Sequence, residues 1–403
     1  MGIDLKHNFK HLNYCEWLVL ASVTFNPLLC FLTGLGVSIN SSHVIFIQAF
    51  IFGLILLYAL KHCHRSALFT LVITAFIFNL AISLIYQKDV SVQSIYTALV
   101  LPIAIFFALK SKVNAWKLLK LIFAISLIVS LFELFLPNTL LLFFPVGEYY
   151  FNTRDWVAVQ GFQDVEGYYI GAIRPGGSYF FSNTQRVGSI FLESLGYSYF
   201  LLAFILAIRL NVNNILKKSV LISLSILLIM TTDSRVGFAL GLVLSVIPLN
   251  FTRIYIPVTI YIIAIWVIAI TIYNFYSPEN SSVALRLSYT LDVLRDINFT
   301  DFLGISPLNG KLNDSGYLVY FSSIGIISFC LFLCWIEIIR YNRFVNKDNP
   351  KDTILPFMIV FSTTLFFGAA ILSIKVIVLW SILAFQSSLN ITQNHNKTGK
   401  NLP

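Results

Sequence analysis

The side chains of this sequence best suited to chemistry are the guanidinium groups of Arg174, Arg186, Arg235 and Arg286 and the carboxylates of Glu193 and Asp314. A guanidinium presents a planar fork that binds phosphate or carboxylate through two parallel hydrogen bonds. A carboxylate can take the proton from an attacking hydroxyl. In the segment RVGSIFLE, Arg186 opens an apolar run and Glu193 follows two helical turns on. A continuous helix would set both on one face, with Glu193 about 10 Å deeper. An ionisable group at that depth is expected to face a cavity or a partner, and a simple Arg186–Glu193 pair that fixes helix packing would fit the same pattern. In MTTDSRVG, Asp233 and Arg235 share a short turn, where Asp233 or Ser234 can cap the helix that starts at Arg235. Arg235 then points to the same surface as Arg186, a position from which it could also snorkel to lipid headgroups. In LNDSGYL, Asp314 precedes another apolar run, and one carboxylate can both cap that helix and face a substrate hydroxyl.

These residues have to be positioned by helices in lipid. Apolar residues make up 58% of the 403-residue chain and charged ones 11%, too little polar surface to cover a soluble core. Mean hydropathy is +0.82. Apolar runs long enough to span a hydrocarbon layer recur throughout, which predicts an all-α, polytopic integral membrane protein of about twelve transmembrane helices. Among them are runs over 17–37, 187–208, 316–338 and 376–389. The first lacks a cleavage pattern and is expected to be a retained span. The net charge of +9 is accounted for by basic residues flanking cytoplasmic helix ends, so no nucleic-acid partner is expected. The cysteines form no paired set in a long loop, and neither disulfides nor a thiolate metal site is expected.

With the amino terminus inside, most Lys and Arg fall on the cytoplasmic side and both termini are cytoplasmic. Arginine outnumbers lysine in the remainder, which includes Arg154, Arg174, Arg186, Arg235, Arg286 and Lys375. Two external loops are long, 137–185 and 277–315, in a chain otherwise joined by short connections. Long loops in a compact protein are where function concentrates. The first is rich in aromatics, Tyr149, Tyr150, Trp156 and Tyr179 among them, which suit sugar stacking or an interfacial aromatic belt.

An RVGSIFLE segment after a large external loop, an SR turn two spans later, and a second large loop with an arginine followed by DSGYL resemble the Wzy-type polysaccharide polymerases of the O-antigen polymerase and ligase superfamily. The likeness runs over residues 151–325. It implies a GT-C-like glycosyltransferase in a bacterial inner membrane, its active site facing the periplasm. Such an enzyme transfers a growing glycan from undecaprenyl diphosphate to the non-reducing end of a new lipid-linked repeat unit, without metal or nucleotide sugar. Its partners would be undecaprenyl-diphosphate-linked oligosaccharides, membrane lipid and a chain-length regulator protein.

By position, the resemblance gives diphosphate binding to Arg186 and Arg286, with Arg235 and Arg174 as further candidates. Glu193 or Asp314 would be the base. The Arg-to-Gly spacing of some polymerases is not matched, which leaves the separate roles of Arg174 and Arg286 open. The sister ligases carry a histidine near the position of Asn313 and Asp314, and this sequence has none there, which favours polymerase over ligase. A lipid-linked oligosaccharide flippase or other transporter would also have about a dozen spans, but commonly as two related halves with midplane sites. No internal repeat is visible. There is neither a metal-ligand cluster nor a nucleotide-type glycine loop in the sequence, so no cofactor is expected.

Overall fold

The structure is a computed structural model, which describes residues 12–63, 67–86, 92–154, 167–168, 172–173, 178–181, 185–250, 255–275, 282–296, 298, 303, 315–346 and 351–398. The described residues are helical apart from connections, 3₁₀ turns and two isolated bridges, and form no strand. The helices are α1 (Tyr14–Gly34), α2 (Ser41–Cys63), α3 (Ala67–Tyr86), α4 (Val92–Lys110), α5 (Ala115–Phe135), α6 (Pro137–Phe143), α7 (Val146–Thr153), α8 (Ser194–Asn211), α9 (Ile215–Thr231), α10 (Arg235–Val246), α11 (Val258–Phe275), α12 (Ser282–Arg295), α13 (Gly316–Asn346), α14 (Ile354–Leu365) and α15 (Ile374–Thr398). Each apolar run expected to span overlaps one of them, although the run over 187–208 is α-helical only from Ser194. Six are long and apolar enough to cross a membrane, among the described residues. Several of the others are shorter apolar helices, including Arg235–Val246 and Ile354–Leu365.

Asparagines set the starts of several helices. Asn13 and Glu16 close a reciprocal capping box on α1, and the second oxygen of Glu16 accepts from the backbone N–H of Asn114 at 3.0 Å. Asn114 in turn caps α5, and Asn214 caps α9. Each cap satisfies N–H groups that would otherwise be stranded at a helix end. In α13 the helix breaks at Gly325, whose φ of 67° a residue with a Cβ rarely adopts.

The chain divides into two compact units, residues 1–57, 111–246 and 374–383 in the first, and 58–110, 247–373 and 384–403 in the second. The first is organised on α8, which is buried on every side from Gly196 to Ile208. A helix apolar all round belongs inside other helices. Phe191, Tyr197, Phe200, Phe204 and Phe123 stack in sequence along it, with centroids 4.0 to 6.4 Å apart. Indole Nε1 of Trp380, early in α15, donates to the Tyr199 carbonyl at 3.0 Å.

α8 and α10 approach closely at Gly237. A Cβ there would lie 2.1 Å from Ser198 Oγ and 2.8 Å from Ser234 Oγ, the oxygen that accepts from the Gly237 N–H and caps α10. Gly237→Ala is therefore expected to displace the cap and lower stability by about 1–3 kcal/mol. Thermal unfolding of the detergent-purified variant reads this, and an unchanged midpoint would contradict so tight a contact.

In the second unit α13 packs on α3 and α4, and α11 on α12 and α14. Tyr317, Trp266 and Phe366 form one aromatic cluster with centroids 4.7 to 4.8 Å apart. At the far end of α13, Glu337 accepts from the Tyr255 hydroxyl and the Val258 N–H. Arg340 pairs there with Asp352.

Candidate functional site

The site is built around the segment that joins the first long loop to α8. A continuous helix through Arg186 and Glu193 is the sequence expectation, and the structure corrects it. Residues 186–188 belong to no helix, Ser189–Phe191 make one 3₁₀ turn, Leu192 is left-handed with φ 58° and ψ −3°, and α8 begins only at Ser194. Glu193 stands at the N-cap, so it does not share a helical face with Arg186.

The cause lies on another helix. Glu133, near the end of α5, turns its buried carboxylate onto this backbone. It accepts from the Gly188 N–H at 3.1 Å and from the Ser189 N–H at 2.8 Å. Irregular backbone survives among apolar helices only where protein groups take its hydrogen bonds. Gly188 has to be glycine, because a Cβ would lie 2.8 Å from the Leu192 carbonyl carbon. Ser189 and Leu192 both have positive φ. Such strain in non-glycine residues costs on the order of 1–3 kcal/mol each and collects at functional sites.

Two charged groupings follow. Arg186 donates from Nε to the Thr232 carbonyl at 3.3 Å, and the Val187 N–H bonds the Thr231 carbonyl at 3.1 Å. This ties Arg186 to the turn that carries Asp233 and Arg235. Of the two capping candidates, Ser234 caps α10. Asp233, buried and at φ 53°, instead takes the Ser178 hydroxyl at 2.9 Å and the Tyr179 N–H at 2.8 Å, fastening the first long loop. Arg235 lies over the Tyr179 ring at 3.8 Å, a cation–π contact.

The second grouping surrounds Glu193. Its Oε1 receives Arg154 and, at 3.3 Å, the Tyr150 hydroxyl, while Lys375 Nζ lies 3.6 Å from Oε2. Lys375 also donates to the Phe191 carbonyl at 2.8 Å. Arg154 follows α7 directly and stacks on Tyr150 at 4.2 Å. α7 is pinned to α1 by the Tyr149 hydroxyl, whose pKa burial pushes up, so that it remains a donor to Asn26 Oδ1 at 2.8 Å.

Between α1, α5, the short helices α6 and α7 and the broken segment lies a cavity of about 310 Å³. Its walls are largely apolar, with Pro27, Phe31, Val129, Phe144 and Ile190 among them, and Arg186 and Glu133 are its charged lining residues. Glu133 is committed to two N–H groups, and Arg186 supplies the positive charge of the cavity wall.

Arg286, on α12, belongs to the second unit. Its Nη1 donates to the Phe367 carbonyl at 3.0 Å, and Thr290, one turn on, donates to the Phe366 carbonyl at 3.4 Å. Arg174 and Asp314 lie outside the described residues. The structure therefore bonds Arg186 to the turn that leads into Arg235 and gives Glu193 separate partners. The importance of Glu133, Arg154, Tyr150 and Lys375 is not visible in motif order. Glu133 in SLFELF and Lys375 in LSIKVIV do carry one signal, an ionisable residue inside an apolar run, which marks a functional or paired group by default. No group of three or more His, Cys, Asp or Glu side chains gathers among the described residues.

Compared with known proteins, the chain matches no protein-family model, no curated protein and no solved structure.

Proposed function

We propose that this chain is a polysaccharide polymerase of the Wzy kind, a metal-independent glycosyltransferase of a bacterial inner membrane. It transfers a growing glycan from undecaprenyl diphosphate to the non-reducing end of a fresh lipid-linked repeat unit. One observation carries the reading: Arg186 lines a cavity that is otherwise largely apolar. A guanidinium against hydrocarbon walls matches an anionic head on a prenyl chain. Arg235 adds a second guanidinium on the turn that receives Arg186. Charge gathers on the diphosphate as it leaves the anomeric carbon, and positioned cations stabilise that transition state more than the ground state. Glu193 is the carboxylate at hand to take the acceptor's hydroxyl proton. By the order of the motifs, Arg286, Arg174 and Asp314 are further candidates from the two long loops. A periplasmic active face, cytoplasmic termini and a chain-length regulator as partner belong to the same proposal.

The test is the surface-glycan ladder of the native host with the gene deleted and then restored. Deletion is expected to leave core carrying a single repeat. Arg186→Ala, at normal membrane level on a blot, is expected to restore no more than about 1% of the long chains, the loss typical of one transition-state donor. Disappearance of the single repeat as well would assign the chain to ligation or flipping and overturn the polymerase reading.

A further inference from the structure

Glu193 is approached by two basic groups at once. Arg154 and Lys375 both face the one carboxylate. The two cations are not equivalent. Lys375 is 2% exposed and anchored to the Phe191 carbonyl, so moving it would strand a buried ammonium and a buried carbonyl together. Arg154 is 30% exposed, rests on the Tyr150 ring, and has further N–H donors beyond the one turned to Glu193. It can pivot on that ring without losing the stack. When it does, Glu193 keeps Lys375 on Oε2, so no buried charge is left unpaired. Oε1, however, loses its guanidinium and keeps only the Tyr150 hydroxyl at 3.3 Å, which leaves it room for a second donor.

Resting on the polymerase reading above, we infer that Arg154 is a further phosphate-binding residue, held in reserve by Glu193 and transferred to the lipid diphosphate when that substrate binds. The exchange couples two events. It brings a guanidinium to the leaving group, and it frees Oε1 of Glu193 for the acceptor. The acceptor oxygen then bonds to the donor's anomeric carbon as its proton passes to Oε1. The anomeric C–O bond breaks with its electron pair on the diphosphate, whose added charge Arg154 meets. The products are the lengthened glycan, free lipid diphosphate and a protonated Glu193 that returns its proton to solvent. Before the lipid diphosphate binds, Oε1 is occupied and the base is masked.

The test uses the full-length protein in lipid nanodiscs, with geranylgeranyl diphosphate and inorganic pyrophosphate as probes and affinities read by calorimetry at fixed ionic strength. Because Glu193 competes with the ligand for Arg154, Glu193→Gln is expected to bind the prenyl diphosphate about tenfold more tightly than wild type, while Arg154→Gln binds about tenfold more weakly. The double variant should match Arg154→Gln alone, since the competition is gone. Should Glu193→Gln fail to elute as native protein, Glu193→Asp keeps a carboxylate for Lys375 while shortening the reach to Arg154, and is expected to tighten binding in the same direction. Parallel shifts with pyrophosphate would support the exchange with the headgroup alone as its trigger. Shifts confined to the prenyl probe would support it with the chain required. A natively eluting Glu193→Gln or Glu193→Asp whose affinity is unchanged or weaker would overturn the exchange and leave the pair a structural clamp. The glycan ladder of the deletion strain separates the two claims. Altered affinities with a ladder untouched by deletion keep the exchange and sink the polymerase reading, while a ladder lost on deletion with unaltered affinities does the reverse.

Discussion

Glu133→Ala is expected to lower the stability of the purified protein by about 2–6 kcal/mol, taking about 1–3 kcal/mol for each buried donor left without an acceptor, and, on the proposed polymerase function, to abolish long-chain glycan. The donors are the Gly188 and Ser189 N–H groups, which bond the Glu133 carboxylate at 2.8 to 3.2 Å. Without it nothing compensates the strain at Ser189 and Leu192, and the segment that presents Arg186 and Glu193 loses its shape. Glu133→Gln offers one acceptor oxygen and turns an NH₂ towards the other donors, so it should fall between alanine and wild type. Thermal unfolding in detergent and the glycan ladder read the two consequences separately. A Glu133→Ala protein with a wild-type midpoint and ladder would show that the carboxylate does not hold this backbone.

A comparable loss is expected in the second unit from Asp352→Ala. Arg340 and Asp352 are both nearly inaccessible, and the guanidinium meets the carboxylate through Nε at 2.7 Å and Nη2 at 2.6 Å. Nη1 donates to the Ile256 carbonyl at 2.7 Å, and the other oxygen of Asp352 accepts from the Leu355 N–H at the start of α14. Each nitrogen of the guanidinium and each oxygen of the carboxylate therefore has a partner. Removing only the carboxylate leaves a buried cation uncompensated and should cost about 3–5 kcal/mol. Replacing both partners together, as Arg340→Met with Asp352→Leu, should recover much of that loss, because no charge is left to desolvate. Unfolding midpoints of wild type, both single variants and the double variant form the cycle that measures the coupling. Additive losses would mean that the two side chains do not depend on each other.

Most of the long apolar helices are legible in the pattern of apolar residues alone, whereas Pro137–Phe143 and Val146–Thr153 fall in a segment that reads as a loop. Span-forming runs are a local property, because a peptide group in hydrocarbon must find its hydrogen bond within its own helix whatever surrounds it. The caps at Asn114, Asn214 and Ser234 are likewise local, each made to an N–H three residues on. The arginines Arg186 and Arg235 can also be picked out by residue type and order, and the Arg186 side chain bonds the turn that leads into Arg235.

What the sequence could not decide was where the helix after Arg186 begins. Periodicity and hydrophobicity favour a helix from Val187 onwards. The outcome is set instead by a carboxylate 55 residues earlier in the chain, which takes the N–H of Gly188. The partners of Glu193 are hidden for the same reason: Arg154 lies on a different short helix end, and Lys375 arrives from α15, whose contact with the Phe191 carbonyl spans 184 residues of sequence. Local pattern fixes which segments become helices, because each backbone supplies its own acceptors there. Where a helix is broken, its orphaned donors must be met by side chains from elsewhere, and only the tertiary structure decides which ones arrive.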